Sequence, residues 1–230
     1  MNNNLEQLLY SLKKLKPPRG SLPVYFLIHN HKGLHSYYNN EIQNAMTSMI
    51  CKLRSNPSAI EDLLLSIISC ATAKQIIPLQ NLSELATDKI IFIDNGGKFK
   101  KWGSSFFKLL CDCIDKEVIS NSIRGNAFND ALPIIFILYA KEMSDNFDFY
   151  LKKINKRKLG LIINFYPQNK SFSILKKEEL NKLKKSGNLG IIFDCDYKIL
   201  FSYILDLLLF TLDYDIKDIP KLPRELYILY

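Results

Sequence analysis

Apolar residues recur along this chain in two alternating rhythms. Val24 to Ile28 is a short unbroken apolar run, which suits a strand buried on both faces of a parallel sheet. The polar stretch His29 to Asn40 reads as a loop. Ile42, Ala45, Met46, Met49, Ile50 and Leu53 then fall at helical spacing and mark one buried face, and Asn56-Pro57 ends that helix. Leu63 to Cys70 and Ala73 to Leu79 are two strand-like runs with a tight connection, a hairpin. Residues 80–103 are irregular, with Asn95-Gly96-Gly97 as a turn. Ser104 or Ser105 can cap a helix whose inner face is Phe106, Leu110, Cys113, Ile114 and Val118. Strands follow at Leu132 to Tyr139, Leu159 to Phe165 and Gly190 to Asp194, with helices at Asp145 to Lys156, Lys176 to Lys185 and Lys198 to Leu212 between and after them.

The order is β-α-β-β-α-β-α-β-α-β-α. Alternation with buried strands predicts an α/β fold: a mainly parallel six-stranded sheet, helices on both faces, and one antiparallel edge strand from the hairpin. Leu5, Leu8, Leu9, Leu12 and Leu15 add an amphipathic helix over residues 4–16, stopped by Pro17-Pro18, and it is read as docking on its own domain. Residues 1–19 are thus a helix and linker, 20–212 the domain, and 213–230 a tail with Pro220 and Pro223 and no clear period. Function in such a sheet sits beyond the carboxyl ends of the strands, where the strand order reverses. Here that means the loops after Ile28, before Ser104 and after Leu138.

Length and composition narrow the class. The 230 residues suit one domain, and a hydrophobic share of 47% is too high for a disordered chain. No apolar run reaches the roughly 18–20 residues of a membrane span. Ile199 to Leu212 comes nearest but is broken by Ser202, Tyr203 and Asp206, so it reads as a buried helix. The first twenty residues lack the order of a secretory signal, and a cytoplasmic protein is expected. Five cysteines, an odd number with no C-x-x-C pair, fit reduced thiols and give no zinc ribbon. The formal net charge of +8 fits an acidic partner or nucleic acid, but the lysines are scattered and read as a solvated basic surface.

The opening strand, Leu22-Pro23-Val24-Tyr25-Phe26-Leu27-Ile28, resembles that of von Willebrand factor A domains in the tellurite-resistance TerY-like group. Similarity continues through Lys52 to Pro57, the Leu65 to Pro78 hairpin, Gly96-Gly97, Pro133 to Ala140 and Leu189 to Leu212, so it spans about residues 20–212. The resemblance implies a Rossmann-like three-layer sandwich and a metal-ion-dependent adhesion site on its rim. The residues that would build that site have changed. The aspartate and two serines of the metal loop fall on His29, His31 and Gly33, the threonine on Lys98 to Lys100, and the last aspartate on Ala140, followed by Lys141. Magnesium wants an octahedron of oxygens, and this set offers imidazole, methyl and ammonium groups instead. A degenerate site that needs no metal or other cofactor is the expectation.

Two readings of that rim compete with plain surface chemistry. His29, His31 and His35 are the only histidines, and with Asp94 they could ligate zinc, nickel or copper. Zinc sites usually draw on separated segments, however, so the histidines are read as structural or exposed. His29, Lys98, Lys100 and Lys141, with His31, Gly33 and His35 beside them, could instead receive a carboxylate or phosphate directly, without a metal. No nucleophile, base and oxyanion-donor set is present, so an enzyme is not expected. Asp194 and Asp196 lie after the last strand with no acid–base partner to place beside them. The resemblance implies a scaffold or regulatory subunit beside a kinase or phosphatase in a bacterial stress-resistance or defence system. The alternatives are a nucleic-acid-binding protein using the basic surface, with binding that is weak and salt-labile, and a histidine-ligated metalloprotein.

Overall fold

The structure is a computed structural model and describes residues 21–28, 36–69, 74–86, 104–119, 134–138, 161–167, 189–193, 195–212 and 218–228. The first strand, β1 (Leu22–Ile28), is buried at every position. Helix α1 (Ser36–Arg54) follows. It starts five residues earlier than the polar loop suggested and buries the expected face, Ile42, Ala45, Met46, Met49, Ile50 and Leu53. Lys52 and Arg54 sit in its last turn, where the helix dipole favours cations, and Arg54 Nε donates to the Leu82 carbonyl at 2.9 Å.

Asn56-Pro57 ends α1 and at once begins a second, short helix, α2 (Pro57–Asp62). Asn56 Oδ1 accepts from the Ala59 N–H at 3.0 Å, and Pro57 stands in the first turn, where its missing N–H costs nothing. The hairpin is β2 (Leu63–Ser69) with β3 (Lys74–Asn81). Helix α3 (Ser104–Ile114) runs into a π-helical turn at Asp115–Ile119. Then come β4 (Ile134–Leu138), β5 (Leu161–Pro167), β6 (Leu189–Phe193), helix α4 (Tyr197–Leu212) and β7 (Leu226–Ile228). The expected helices at 4–16, 145–156 and 176–185 lie outside the described residues.

The sheet corrects the expected six strands and single antiparallel edge. Among the described residues seven strands run in the order β3-β2-β1-β4-β5-β6-β7. The five central strands are parallel, and β3 and β7 are antiparallel at the two edges. The extra strand comes from the segment read as tail. It is three residues long, too short to show alternation, and follows Pro220 and Pro223.

Neighbouring residues on β1 place the helices on opposite faces. The Phe26 ring stacks on Phe201 of α4, at a centroid distance of 6.2 Å and 25° between planes. The adjacent Tyr25 hydroxyl donates instead to Glu117 in the π-turn. One face therefore carries α1, α2 and α4 over the main core, and the other carries α3. In α4 only Lys198, Ser202 and Asp206 are exposed, a stripe at i, i+4 and i+8. The sheet, α1 and the chain at Ile219 and Leu222 cover the rest. Asp196 Oδ1 caps its start through the Ile199 N–H at 2.9 Å.

One polar atom in that helix is out of place. Tyr203 is 1% exposed, and its hydroxyl has no hydrogen-bond partner among the described residues. Burial, aided by Asp206, pushes its phenol well above the usual range, so the hydroxyl stays protonated. An unpaired buried hydroxyl costs about 1–3 kcal/mol of desolvation. Tyr203→Phe is therefore expected to leave stability unchanged or raise it by about 1 kcal/mol in urea unfolding. A clear loss would mean that the hydroxyl is paired in solution.

Candidate functional site at the strand reversal

The chain places β2 on one side of β1 and, after the hairpin, crosses to place β4 on the other side. The strand order thus reverses between β1 and β4. Their carboxyl ends are level: Ile28 pairs in register with Ser69 on one side and Leu138 on the other. Leu138 is level with Phe165 in turn. Parallel strands with a reversed order leave a crevice at this rim, because the connections leave in opposite directions. The rim is the candidate site.

The residues expected to work there, His29, His31, Gly33, His35, Asp94, Lys98, Lys100 and Lys141, lie outside the described residues, as do Ala140 and Asp194. Asp196 is described, and its carboxylate serves as the α4 cap. Among the described residues no three His, Cys, Asp or Glu side chains gather as a metal cluster.

Directly below the rim lies a polar network that sequence reading missed. Tyr25 stands three residues before Ile28 and is level with Ser66 on β2. Its hydroxyl donates to Glu117 Oε2 at 2.9 Å. Glu117 Oε1 accepts from Gln75 Nε2 at 2.8 Å and from the Leu79 N–H at 3.2 Å. Gln75 Nε2 also donates to Ser66 Oγ at 3.0 Å, and Ser66 Oγ donates to the Ile77 carbonyl at 2.9 Å. One carboxylate thereby joins the central strand to the edge strand. The edge needs that tie, because β3 carries extra residues in two places. Pro78 and Leu79 together face Ser66, and Ile76 stands unmatched between Ile67 and Ile68.

Burial, and then the Glu117 carboxylate, push the Tyr25 phenol far above its ordinary range. Burial, aided by the carboxylates of Glu117 and Asp112, pushes the Cys113 thiol up to about 11. At neutral pH both groups are protonated and unreactive. The network is a structural tie, and its clue in the sequence is modest: a lone Tyr in an apolar strand and a Glu on the inner side of a helix.

On the opposite face a cleft of about 370 Å³ separates α1 from α4. Ser48, Lys52, Lys198 and Ser202 stand over a floor that includes Met49, Phe201 and Leu205. Burial raises the pKa of the nearby Asp206, and Lys52 opposes the shift. With Asp196 also in its lining, the cleft offers carboxylate, ammonium and hydroxyl groups.

No protein-family model matches the chain, and no curated protein matches it. Solved structures do. Proximal thread matrix protein 1 from the mussel byssus superposes with a TM-score of 0.56 in one crystal form and 0.57 in a structure with a zinc-occupied MIDAS motif, at 13% identity in both. Each match covers 83% of this chain and 48% of the other, so the chain spans about half the length of these neighbours. The fold is of the von Willebrand A type.

Proposed function

We propose that this chain is a non-catalytic interaction module that takes a protein partner at the carboxyl-end rim between β1 and β4. The observation that carries the reading is the reversal of strand order there, with Ile28, Ser69 and Leu138 level around it. A von Willebrand A fold supports a binding role rather than a chemical one. By the resemblance of the sequence, His29, Lys98, Lys100 and Lys141 take the place of groups that would hold a cation, and on this reading the site works without a metal. An ammonium or imidazolium there meets the partner's carboxylate directly, a charge-assisted contact worth about 1.5–3 kcal/mol. The likeness of the opening strand to the TerY-like group supports a kinase, a phosphatase or another component of a bacterial stress-resistance or defence system as the partner, in the cytoplasm.

The test is the joint substitution Lys98→Glu and Lys141→Glu, measured against the partner that copurifies from the native host. Reversing two charges at the rim is expected to weaken affinity by roughly 10-fold or more, mostly through slower association, with a wild-type affinity that falls as salt rises. A folded double variant with unchanged affinity would place the partner elsewhere.

A further inference from the structure

Helices α1 and α4 lie side by side on the sheet, yet they do not close on each other along their whole length. α1 turns Ala45, Ser48, Met49 and Lys52 to the cleft between them, and α4 turns Lys198, Phe201, Ser202 and Leu205 to it. Both sets have the spacing i, i+3, i+4 and i+7, which is one face of a helix. Ala45, Ser48 and Ser202 have short side chains, so the walls stand apart and leave about 370 Å³. Met49, Phe201 and Leu205 are buried and make the floor. Ser48, Lys52, Lys198 and Ser202 are exposed and make the upper walls. Each wall therefore carries one hydroxyl and one ammonium a single helical turn apart, above apolar side chains.

We propose that this cleft binds a small amphipathic anion: an apolar body lying on the floor, bearing one carboxylate or phosphate that meets the lysines and serines of the walls. The volume fixes the size of the ligand. Sites for small molecules span about 300–1,000 Å³, and this cleft stands near the lower end, too small for a helix of another protein. The lining fixes the sign. It holds two ammonium groups against one carboxylate, that of Asp196, whose Oδ1 already accepts from the Ile199 N–H. Lys198 stands in the first turn of α4, where the helix dipole also favours an anion. Lys52 is partly engaged elsewhere, because its charge stabilises the carboxylate of the nearby Asp206. A bound anion thus leans mainly on Lys198 and competes with Asp206 for Lys52. The cleft shares no residue with the β1/β4 rim, so either reading can fail without the other.

The experiment is an amide NMR titration of the full chain with four probes that share one apolar body: naphthoate, naphthyl phosphate, the neutral naphthamide and the cationic naphthylmethylamine. Saturable shifts at Ser48, Met49, Phe201 and Ser202 are expected with at least one of the two anions. The neutral and cationic probes should bind at least roughly 10-fold more weakly. Lys198→Gln should weaken the anion by roughly 5-fold or more, and Ser202→Trp, which fills the cleft, should abolish binding. Asp206→Asn releases Lys52 and should tighten binding by roughly 2-fold, a gain that damage to the fold would not give. A melting curve of each variant is the folding control. Equal binding of the neutral or cationic probe overturns the proposal. So do shifts that map away from α1 and α4, or failure of both anions to saturate below about 1 mM. These three readings come from the wild-type chain and decide the matter even where a variant does not fold.

Discussion

Phe201→Ala is expected to remove about 3–5 kcal/mol of stability, the largest loss of any single change considered. Phe201 is 1% exposed and its ring stacks on Phe26, which is fully buried. The pair stands where α4 crosses the central strand, inside a cluster that also contains Met46, Met49, Ile204 and Leu205. Truncation leaves a void above the sheet that borders the α1/α4 cleft, and the packed sheet and α1 limit how far the neighbours close on it. The cost therefore includes both the lost burial and the cavity. Phe201→Leu keeps most of the volume and should cost only about 1–1.5 kcal/mol. A domain of this kind has about 5–15 kcal/mol in total, so the alanine variant loses a large fraction of it. Urea unfolding of the three proteins tests this, with an unchanged slope as the sign that the transition remains two-state. A loss below about 1 kcal/mol for alanine would mean that α4 does not pack on β1 as described.

That contact also shows why much of the fold could be read from the sequence. A strand buried on both faces must be apolar at every position, and Val24 to Ile28 is such a run. A helix buried nearly all round is apolar nearly all round, and Ile199 to Leu212 has that character. Apolar runs of central parallel strands announce themselves strongly, so β1, β2, β4, β5 and β6 were legible as strands along the chain, though not their order in the sheet. Edges are different. β7 is three residues long and takes its stability from β6 rather than from its own pattern. The second helix, Pro57–Asp62, was hidden behind the proline that ends the first, because the same Asn-Pro pair stops one helix and caps the next. The candidate rim was legible as topology, through the alternation that forces a reversal beside β1. The chemistry assigned to it rests on residues between the described elements. Its supporting network was not legible, since no local pattern links Tyr25 to a carboxylate that follows it by 92 residues.

That network sets the second large effect. Glu117→Ala removes the acceptor of three donors at once: the Tyr25 hydroxyl, Gln75 Nε2 and the Leu79 N–H. Tyr25 is fully buried, and its hydroxyl would be stranded inside the sheet. The Leu79 amide, in the irregular stretch of β3, would lose the tie that fixes it. Hydrogen bonds to charged groups contribute about 1.5–3 kcal/mol, and stranded buried donors add to the loss, so a total of about 2–4 kcal/mol is expected. Tyr25→Phe removes one donor together with its need for a partner and should cost only about 1 kcal/mol. The two changes share one contact, so they must not add. In the Glu117→Ala background Tyr25→Phe should be neutral or restore stability, giving a coupling of about 1–2 kcal/mol. Hydrogen exchange supplies a reading that lost packing alone would not give. In Glu117→Ala the Leu79 amide should exchange faster than the β1 amides, because the edge strand is released before the centre. Strict additivity of the two substitutions, or an unchanged Leu79 amide in a destabilised variant, would show that the carboxylate does not hold the edge strand to the central one.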